Sequence, residues 1–333
     1  MEIGFPKREV HGGTGKRQRE KSQKKVLDFS ASTNPFPPVF DWQCDPVFLA
    51  HYPDDYYYEL KERISGTFHR KSEEICVGNG SIELIRVFCS VMLRGNKKKF
   101  FTESPTFGEY ELSARLAGAK KVKNSQKADV SFICNPNNPT GSIRKKSEMK
   151  SLLEGMESIG ALLFCDEAFI ELSDPEQSLV DCDDPYLFLI HSLTKSFAVP
   201  GIRFGYGFGN TDLIEKIETT RPPWSVNAFA EAFAMEALKH MDELAISRTA
   251  IAQEREWLTV QLDGLSLRCK PSSANFILVE CGWNVEPLCK ALVHHDIIVR
   301  DCTSFGLPTC IRVAVRTRQE NKGLLEALSA CLR

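Results

Sequence analysis

A short segment in the second half of the chain carries residue types suited to covalent and anion-binding chemistry. It runs Ser192-Leu-Thr-Lys195-Ser-Phe-Ala-Val-Pro-Gly-Ile-Arg203 and follows an apolar run, residues 186–191, that predicts a buried strand. A lysine held among apolar neighbours loses hydration, which favours the neutral amine that condenses with an aldehyde. Arg203 is close enough in sequence to hold a phosphate dianion at the same place. A solvated loop lysine is the competing interpretation, and only the rest of the chain decides between the two.

Two earlier predicted strands end in turns that suit ligand binding. The sequence Ile75-Cys-Val-Gly-Asn-Gly80-Ser81 predicts a strand, a glycine turn and a helix start, whose backbone N–H groups suit a phosphate. Such turns are common, so this signal is weak alone. The predicted strand at residues 130–134 runs into residues 135–141, a rigid turn rich in proline and asparagine that includes Asn138.

A third predicted strand, residues 161–165, ends at Asp166. A buried aspartate has a raised pKa unless a cation or a proton-bearing nitrogen faces it; a helix cap or a solvated loop acid is the alternative interpretation. Phe107 lies in the loop after the predicted strand at residues 99–102, where its ring could stack on a planar ligand. Loop residues at strand ends are where α/β proteins place their chemistry.

The order of the predicted elements indicates an α/β protein with two domains. The chain of 333 residues is longer than one ordinary hydrophobic core requires. A long helix from Ala228 to about Leu262, with a polar break near residues 239–242, leads to the strands and helices of a smaller α+β domain. We predict an N-terminal arm and substrate-covering segment over residues 1–45, a large domain over 46–235 and a small domain over 236–333.

Composition argues against several classes of protein. The formal net charge of -2 provides no field that would attract nucleic acid or an anionic membrane. The longest apolar runs are too short to cross a bilayer, and the charged N-terminus lacks a signal core, which predicts a cytoplasmic location. The twelve cysteines are scattered without a Cys-x-x-Cys pair. We therefore expect reduced, mostly buried thiols, and neither a metal site nor a disulfide framework.

The groups at the strand ends together suit one cofactor. Pyridoxal 5'-phosphate needs a lysine for its aldehyde, donors and an arginine for its phosphate, and a carboxylate that keeps its ring nitrogen protonated. The blocks at residues 135–141, 166–169 and 192–203 resemble the signature blocks of fold-type I pyridoxal phosphate enzymes, the aspartate aminotransferase superfamily. The resemblance covers nearly the whole chain. It implies an α/β fold whose large domain has a mixed, mostly parallel sheet sandwiched by helices, beside a smaller α+β domain.

The resemblance also implies roles for individual residues. Lys195 would bond covalently to the cofactor aldehyde, Asp166 would pair with the ring nitrogen, and Asn138 would bond the ring hydroxyl. Phe107 would stack on the ring. The cofactor phosphate would be held by Gly80, Ser81, Ser192, Thr194 and Arg203. Tyr52 would reach the phosphate bound by a neighbouring subunit, which implies a homodimer with shared active sites.

Two groups of close relatives within the superfamily are candidates: L-threonine-O-3-phosphate decarboxylases of cobalamin biosynthesis and histidinol-phosphate aminotransferases. The chain is more similar to the decarboxylases at residues 11–13 with 28–35, at 300–305, and at 311–317 followed by 320–321, and in having Phe169 where many aminotransferases have tyrosine. It departs from the family at Phe36, where glycine is common. The decarboxylase resemblance implies that Arg312 and Asn138 meet the substrate carboxylate end. It implies that the substrate phosphate meets His11, Gly12, Gly13 and Asn34.

The predicted reaction is therefore decarboxylation of L-threonine O-3-phosphate, a small phosphorylated amino acid. Transamination of histidinol phosphate and decarboxylation of O-phospho-L-serine are the alternatives. A transcription regulator with the same fold would need a fused DNA-binding domain, and the residues before Val26 are too few and too rich in glycine to form one. The basic run from Lys16 to Lys25 is either a solvated arm or part of a segment that closes over the substrate.

Overall fold

The structure, a computed structural model, describes residues 5–13 and 26–332, so the basic run from Lys16 to Lys25 lies outside the described residues. The strands are β1 (Leu27–Asp28), β2 (Ile75–Gly78), β3 (Lys99–Thr102), β4 (Lys120–Lys121), β5 (Val130–Cys134), β6 (Leu162–Asp166), β7 (Leu187–His191), β8 (Gly205–Phe208), β9 (Arg268–Cys269), β10 (Phe276–Glu280), β11 (Ile297–Ile298), β12 (Arg300–Asp301) and β13 (Cys310–Ala314). The α-helices are α1 (Tyr58–Phe68), α2 (Ser81–Met92), α3 (Glu109–Leu116), α4 (Lys146–Glu157), α5 (Leu193–Ser196), α6 (Thr211–Thr220), α7 (Ala228–Ala237), α8 (Leu244–Gly264), α9 (Glu286–His294) and α10 (Arg318–Cys331).

The large sheet has the strand order β2-β8-β7-β6-β5-β3-β4. Strands β4, β3, β5, β6 and β7 pair in parallel, whereas β8 is antiparallel to both β7 and β2. The reversed direction of β8 has a direct consequence for the site. Its first residue, Gly205, lies opposite Gly78, the last residue of β2, so the chain just before β8 reaches the edge where the parallel strands end.

Helices cover both faces of this sheet because its central strands are apolar on both sides. All residues of β5 and β7 are buried, as expected for strands covered on both faces. Alternate residues of β7 join two different clusters: Leu189 packs with residues of α1 and α4, and Phe188 packs with residues of α2, α3 and α6. The predicted α/β architecture with a mixed, mostly parallel sheet is thereby confirmed.

A second, antiparallel sheet has the order β12-β13-β10-β9. Its strand β13 alternates apolar side chains that join the main core, such as Ile311 and Val313, with Arg312, which faces the other side. The N-terminal segment attaches here, because β1 pairs in parallel with β11 and the Ala314 amide donates to the Phe29 carbonyl at 2.9 Å. The boundaries at residues 45/46 and 235/236 stay predictions.

Element boundaries differ modestly from those expected. The long helix is interrupted where predicted, with α7 ending at Ala237 and α8 beginning at Leu244. The last helix begins at Arg318, where Thr317 and Glu320 form a capping box. No helix in the described part of the chain combines the length and apolar character needed to cross a membrane. The twelve cysteines are free, and most are buried.

Candidate active site

A cavity of about 420 Å³ opens at the edge where the parallel strands end. Most residues singled out from the sequence line it: His11, Gly12, Gly13, Ser81, Phe107, Asn138, Asp166, Ser192, Thr194, Lys195, Arg203 and Arg312. They come from turns after β2, β3, β5, β6 and β7, from the turn before β8, from β13 and from the N-terminal segment. The parallel arrangement explains much of the convergence, since parallel strands deliver their carboxyl ends to one edge.

Lys195 lies on the short helix α5, directly after the buried strand β7. Its side-chain nitrogen is 5.9 Å from the centre of the Phe169 ring, and its backbone carbonyl accepts a hydrogen bond from Asn34 N. Burial, assisted by the positive charges of Arg312 and Arg203, lowers the pKa of Lys195 to about 8. A substantial fraction of the amine is therefore neutral near pH 8, as nucleophilic attack on an aldehyde requires.

Asp166 is buried at the end of β6, with 4% of its surface exposed. The Tyr110 hydroxyl donates to one carboxylate oxygen at 2.6 Å, and the Ala168 amide donates to the other at 2.9 Å. Burial raises the pKa of Asp166 above its ordinary value, although both hydrogen bonds oppose the shift. Among the described residues, no basic side chain forms an ion pair with this carboxylate. A protonated ring nitrogen in the cavity would supply the missing positive partner.

A cradle for a phosphate is built from backbone atoms around the start of α2. Gly80 has a φ of +77°, and a Cβ atom there would lie 2.1 Å from Arg203 Nη2, so only glycine leaves room for the guanidinium. A Cβ on Gly205 would lie 2.3 Å from Ser81 N. The guanidinium and the N-terminus of a twelve-residue helix therefore meet at one point. Gly80 shapes this cradle without itself lining the cavity.

Two hydroxyl groups complete the same corner of the cavity. Ser192 Oγ and Thr194 Oγ1 are 2.8 Å apart, and both residues are buried yet line the cavity. Arg203 is held in place by donating to the Pro200 carbonyl at 2.9 Å. Hydroxyls, backbone amides and a guanidinium are the donors that phosphate oxygens bind most readily.

Arg312 occupies the opposite wall. Its guanidinium donates to the Asn138 side-chain oxygen and, at 2.9 Å, to the Ser30 carbonyl, and it lies 4.9 Å from the centre of the Phe276 ring. Its Nε has no hydrogen-bond partner among the described residues. Burial lowers the pKa of Arg312 to about 10. The Arg312 charge is thus desolvated and held by neutral groups only, an arrangement that an anionic ligand would stabilise.

Arg300 is a second buried cation, directly opposite Arg312 in the pairing of β12 with β13. It donates to the Val10 carbonyl at 2.6 Å and to the Ser304 hydroxyl at 2.7 Å, and it lines the same cavity. Burial lowers the pKa of Arg300 as well. Within the described residues neither guanidinium is in an ion pair, so this wall presents two positive charges without a bonded carboxylate.

The N-terminal segment crosses the mouth of the cavity. His11 Nε2 lies 2.9 Å from Glu109 Oε1, and the His11 ring is 6.0 Å from the ring of Phe107. Gly12 packs so closely on Ser30 that a Cβ would lie 2.4 Å from the Ser30 carbonyl oxygen. Gly13 N donates to Ser30 Oγ at 2.8 Å. Three predicted residues of this segment therefore line the cavity, while the imidazole and the Gly13 amide are already hydrogen-bonded.

Asn34 and Tyr52 are not brought into the cavity. The Asn34 amide donates to the Ser196 carbonyl at 2.7 Å and to Ser247 Oγ at 3.0 Å, which places it behind the lysine segment. The expectation that Asn34 meets the substrate phosphate needs correction, because its side chain is buried in these contacts. Tyr52 is 78% exposed and stacks on Trp224 at 4.4 Å.

The residues that line the cavity without having been assigned a role from the sequence include Arg300, Tyr110 and Ser32. Arg300 belongs to a segment that resembles the decarboxylases, and Tyr110 follows the aromatic loop, but neither position carries a local signal of ligand binding. The Ser32 hydroxyl is buried without a hydrogen-bond partner in the described residues. A role for Arg300 in the cavity can be inferred only once its pairing with Arg312 of β13 is known.

The cavity suits pyridoxal 5'-phosphate. One space of about 420 Å³ is bordered by the phosphate cradle, by the Lys195 amine and by the Asp166 carboxylate, which has no ion-pair partner among the described residues. Phe107 lines that space too, as a stacking partner for the ring would. Each donor or acceptor that the cofactor needs has a candidate of the right chemical type in the described residues.

The family described as "Aminotransferase class I and II" matches residues 48–129 and 120–328. A protein of Caldanaerobacter subterraneus subsp. tengcongensis named "Putative threonine-phosphate decarboxylase" is 34% identical over 327 residues, covering 90% of this chain and 88% of the relative. The histidinol-phosphate aminotransferase of Moorella thermoacetica is 28% identical over 342 residues, covering 95% of this chain and 88% of that protein. The crystal structure of the histidinol-phosphate aminotransferase from Clostridium acetobutylicum superposes with a TM-score of 0.81 at 30% identity, covering 92% of this chain and 99% of the other.

The family match covers most of the chain, and the relatives match it over nearly their full length. The superposition agrees with the predicted aspartate-aminotransferase-like, fold-type I architecture. This chain belongs to the class I and II aminotransferase family and is a pyridoxal 5'-phosphate enzyme.

Proposed function

We propose that the protein decarboxylates L-threonine O-3-phosphate, giving (R)-1-amino-2-propanol O-2-phosphate and carbon dioxide for cobalamin biosynthesis. The observation that carries this proposal is the pair of buried arginines, Arg300 and Arg312, which line one wall of the cavity and form no ion pair with any described residue. A substrate that bears both a carboxylate and a phosphate would satisfy both cations at once. The relative that is 34% identical carries the same activity in its name.

When bound, pyridoxal phosphate accepts the electron pair of the bond that breaks at the substrate α-carbon. We assign Asp166 to the ring nitrogen because its carboxylate is buried and fixed by Tyr110 and the Ala168 amide. An anionic Asp166 holds a proton on that nitrogen and so maintains the electron demand of the ring.

Arg312 is assigned to the substrate carboxylate and determines which bond breaks. With the cofactor bound, the orientation of the substrate would decide which bond at the α-carbon breaks, so the protein must fix the position of the substrate carboxylate. A fixed guanidinium, held by Asn138 and Ser30, supplies this orientation through a bidentate contact. The Cα–carboxylate bond then breaks, and carbon dioxide leaves.

Lys195 is assigned the proton that replaces the carboxylate. With a pKa of about 8, the amine is mostly protonated near neutral pH and could donate that proton to the substrate α-carbon. The Cα–H bond forms with the electron pair left by carbon dioxide, and the amine is neutral afterwards. His11, the Gly12–Gly13 segment, Ser32 and Arg300 surround the position proposed for the substrate phosphate.

Transamination of histidinol phosphate is the second candidate, because the solved structure at 30% identity is an enzyme named for that reaction. In that reaction Arg312 would orient a carboxylate of the amino-group acceptor, such as 2-oxoglutarate. Lys195 would move a proton from Cα. Decarboxylation of O-phospho-L-serine is a narrower alternative. It differs by one methyl group, and a methyl group in an apolar pocket changes binding by about 1–3 kcal/mol.

The deciding experiment incubates the protein, loaded with pyridoxal phosphate, with O-phospho-L-threonine, O-phospho-L-serine, or histidinol phosphate plus 2-oxoglutarate. Carbon dioxide and glutamate are measured in parallel. We expect carbon dioxide release to be fastest with O-phospho-L-threonine and glutamate formation to be absent. Glutamate formation without carbon dioxide release would refute the decarboxylase assignment. The control is Lys195→Ala, which should lose both activity and the visible absorbance of covalently bound cofactor.

The exposed aromatic surface around Tyr52 and Trp224 suits a second copy of this chain. Nearby in the sequence, the short 3-10 helix Pro46–Ala50 exposes the large apolar side chains of Val47, Phe48 and Leu49. Apolar surface of this extent marks interfaces more often than free surface. We assign it to the homodimer contact that would carry Tyr52 towards the neighbouring active site.

A further inference from the structure

A buried charge cluster lies behind Asp166 and takes no part in the roles assigned above. It consists of Glu167, Glu171 and His191, whose exposures are 0%, 7% and 1%. His191 Nδ1 is 2.9 Å from Glu171 Oε1, and His191 Nε2 is 3.1 Å from Glu167 Oε2. An imidazole that faces a carboxylate with each of its nitrogens donates from both only when it is protonated. With both carboxyl groups ionised, this geometry places an imidazolium at position 191.

The cluster joins the two strand ends that carry the central groups of the site. Glu167 directly follows Asp166 at the end of β6, and His191 directly precedes Ser192 at the end of β7. The backbone adds a tie, since Glu167 N donates to the Ile190 carbonyl at 2.9 Å. The His191–Glu167 contact thus connects the residue after Asp166 with the end of β7, the strand that precedes Lys195.

Aromatic rings shield this cluster from solvent, and few other titratable groups lie near it. The rings of Phe68, Tyr206 and Phe208 lie 5.5, 5.5 and 5.6 Å from the His191 ring. The other polar or charged groups near the cluster are Ser178 Oγ and the Leu179 amide on Glu167, the Cys165 thiol, the buried Tyr206 hydroxyl, Asp166, and Arg248, which donates to the Glu171 carbonyl. The two carboxylates outweigh burial and raise the pKa of His191 to about 9.

We propose that His191 is a positioning residue: its imidazolium, clamped by Glu167 and Glu171, fixes the β6 and β7 ends and keeps Asp166 ionised beneath the cofactor ring. A nearby positive charge favours the anionic form of a buried carboxylate, and His191 acts on Asp166 in this direction. The anionic charge of Glu167, the neighbour of Asp166, acts in the opposite direction, so the cluster supports Asp166 only while His191 is charged. The inference rests on the cofactor and holds for either proposed reaction.

The test is a double-mutant cycle read by pyridoxal phosphate affinity of the apoprotein. We expect His191→Gln to raise the cofactor Kd about tenfold or more at pH 7.5, but less than threefold in an Asp166→Asn background, where no carboxylate remains to be kept ionised. Glu171→Gln is the matched control, since it perturbs the same cluster while Glu167 still holds the imidazolium. Its Kd should stay within threefold of wild type. Equal losses for His191→Gln in both backgrounds would show that the residue is merely structural.

The pH dependence of the cofactor Kd also distinguishes a residue that keeps Asp166 ionised from a merely structural one. Without the imidazolium Asp166 protonates more readily, so the ratio of the His191→Gln Kd to the wild-type Kd should rise about fivefold or more from pH 8 to pH 6. A ratio independent of pH would overturn the proposal. Should His191→Gln fail to fold, ¹⁵N-histidine NMR of the wild-type apoprotein decides. One buried histidine must show two protonated ring nitrogens at pH 7.5, and a neutral tautomer at His191 would refute the inference.

Discussion

Replacing Gly80 with alanine tests the phosphate cradle most directly. Gly80 has a φ of +77°, and a Cβ there would lie 2.1 Å from Arg203 Nη2 and 2.9 Å from its Cζ. Both distances are far below van der Waals contact, so the guanidinium has to move. We expect Gly80→Ala to strain the backbone and to displace the arginine that is to hold the cofactor phosphate.

Backbone strain changes the free energy of unfolding, whereas displacement of Arg203 changes the affinity for the cofactor. Backbone strain from an L-residue at the Gly80 conformation, with φ of 77° and ψ of 156°, costs about 1–3 kcal/mol and is present with or without cofactor. It therefore lowers the free energy of unfolding but cancels from cofactor affinity. Loss of a charge-assisted hydrogen bond from Arg203 costs about 1.5–3 kcal/mol and appears only when the phosphate binds. The cofactor Kd should accordingly rise by about 10- to 150-fold.

The assay combines urea unfolding of the apoprotein with fluorescence titration by pyridoxal phosphate. Gly160→Ala is the matched control: Gly160, in the turn between α4 and β6, has a φ of +66°, and a Cβ there would have no neighbouring atom within 4 Å in the described residues. Both variants should lose stability, whereas only Gly80→Ala should lose affinity. Wild-type affinity in Gly80→Ala, or an equal affinity loss in Gly160→Ala, would refute the reasoning.

Three further outcomes are expected. Arg300→Met should raise KM for the phosphorylated substrate about 10- to 100-fold in steady-state kinetics, because one charge-assisted contact is lost, while cofactor Kd stays unchanged. His191 has a folded pKa of about 9 against an ordinary 6.5, so its stabilisation is complete below pH 6.5 and is lost as pH rises through 9. Urea unfolding of the apoprotein should show the wild-type advantage over His191→Gln shrinking by about 2–3 kcal/mol between about pH 6.5 and pH 10. Mixing inactive Lys195→Ala with Tyr52→Ala subunits should restore activity if subunits share sites; no recovery in hybrids isolated as dimers would contradict that arrangement.

Much of the fold and the cofactor-facing side of the cavity could be predicted from the sequence. The adjacent central strands β6 and β7 contain apolar runs, residues 162–165 and 187–190, and each run is followed by polar residues. Parallel pairing then brings the ends of these strands to one edge, whatever the details of the helices. Asp166 and Lys195 meet for that reason, and the resemblance to a known superfamily assigned their roles.

The opposite wall could not be predicted because it depends on contacts between segments distant in the chain. The Asn34 side chain bonds Ser247, 213 residues away, and nothing local indicates that this contact removes it from the cavity. The charge of Arg300 becomes a site feature only through its pairing with Arg312 across an antiparallel sheet. His191 likewise looks like the last residue of a buried strand until two carboxylates from the preceding turn are placed against it.

The Tyr110–Asp166 hydrogen bond has a consequence for how the protein opens. The Tyr110 ring stacks on Phe132 at 5.6 Å, and Phe132, Phe164 and Phe188 continue an unbroken series of ring contacts through the core. Asp166, which we assign to the cofactor ring nitrogen, is therefore hydrogen-bonded to a residue of the aromatic core. Its backbone should exchange amide hydrogens as slowly as the central strands do, while the segment that carries His11 exchanges quickly. Movement of the N-terminal segment would then leave the Asp166 side of the cavity in place.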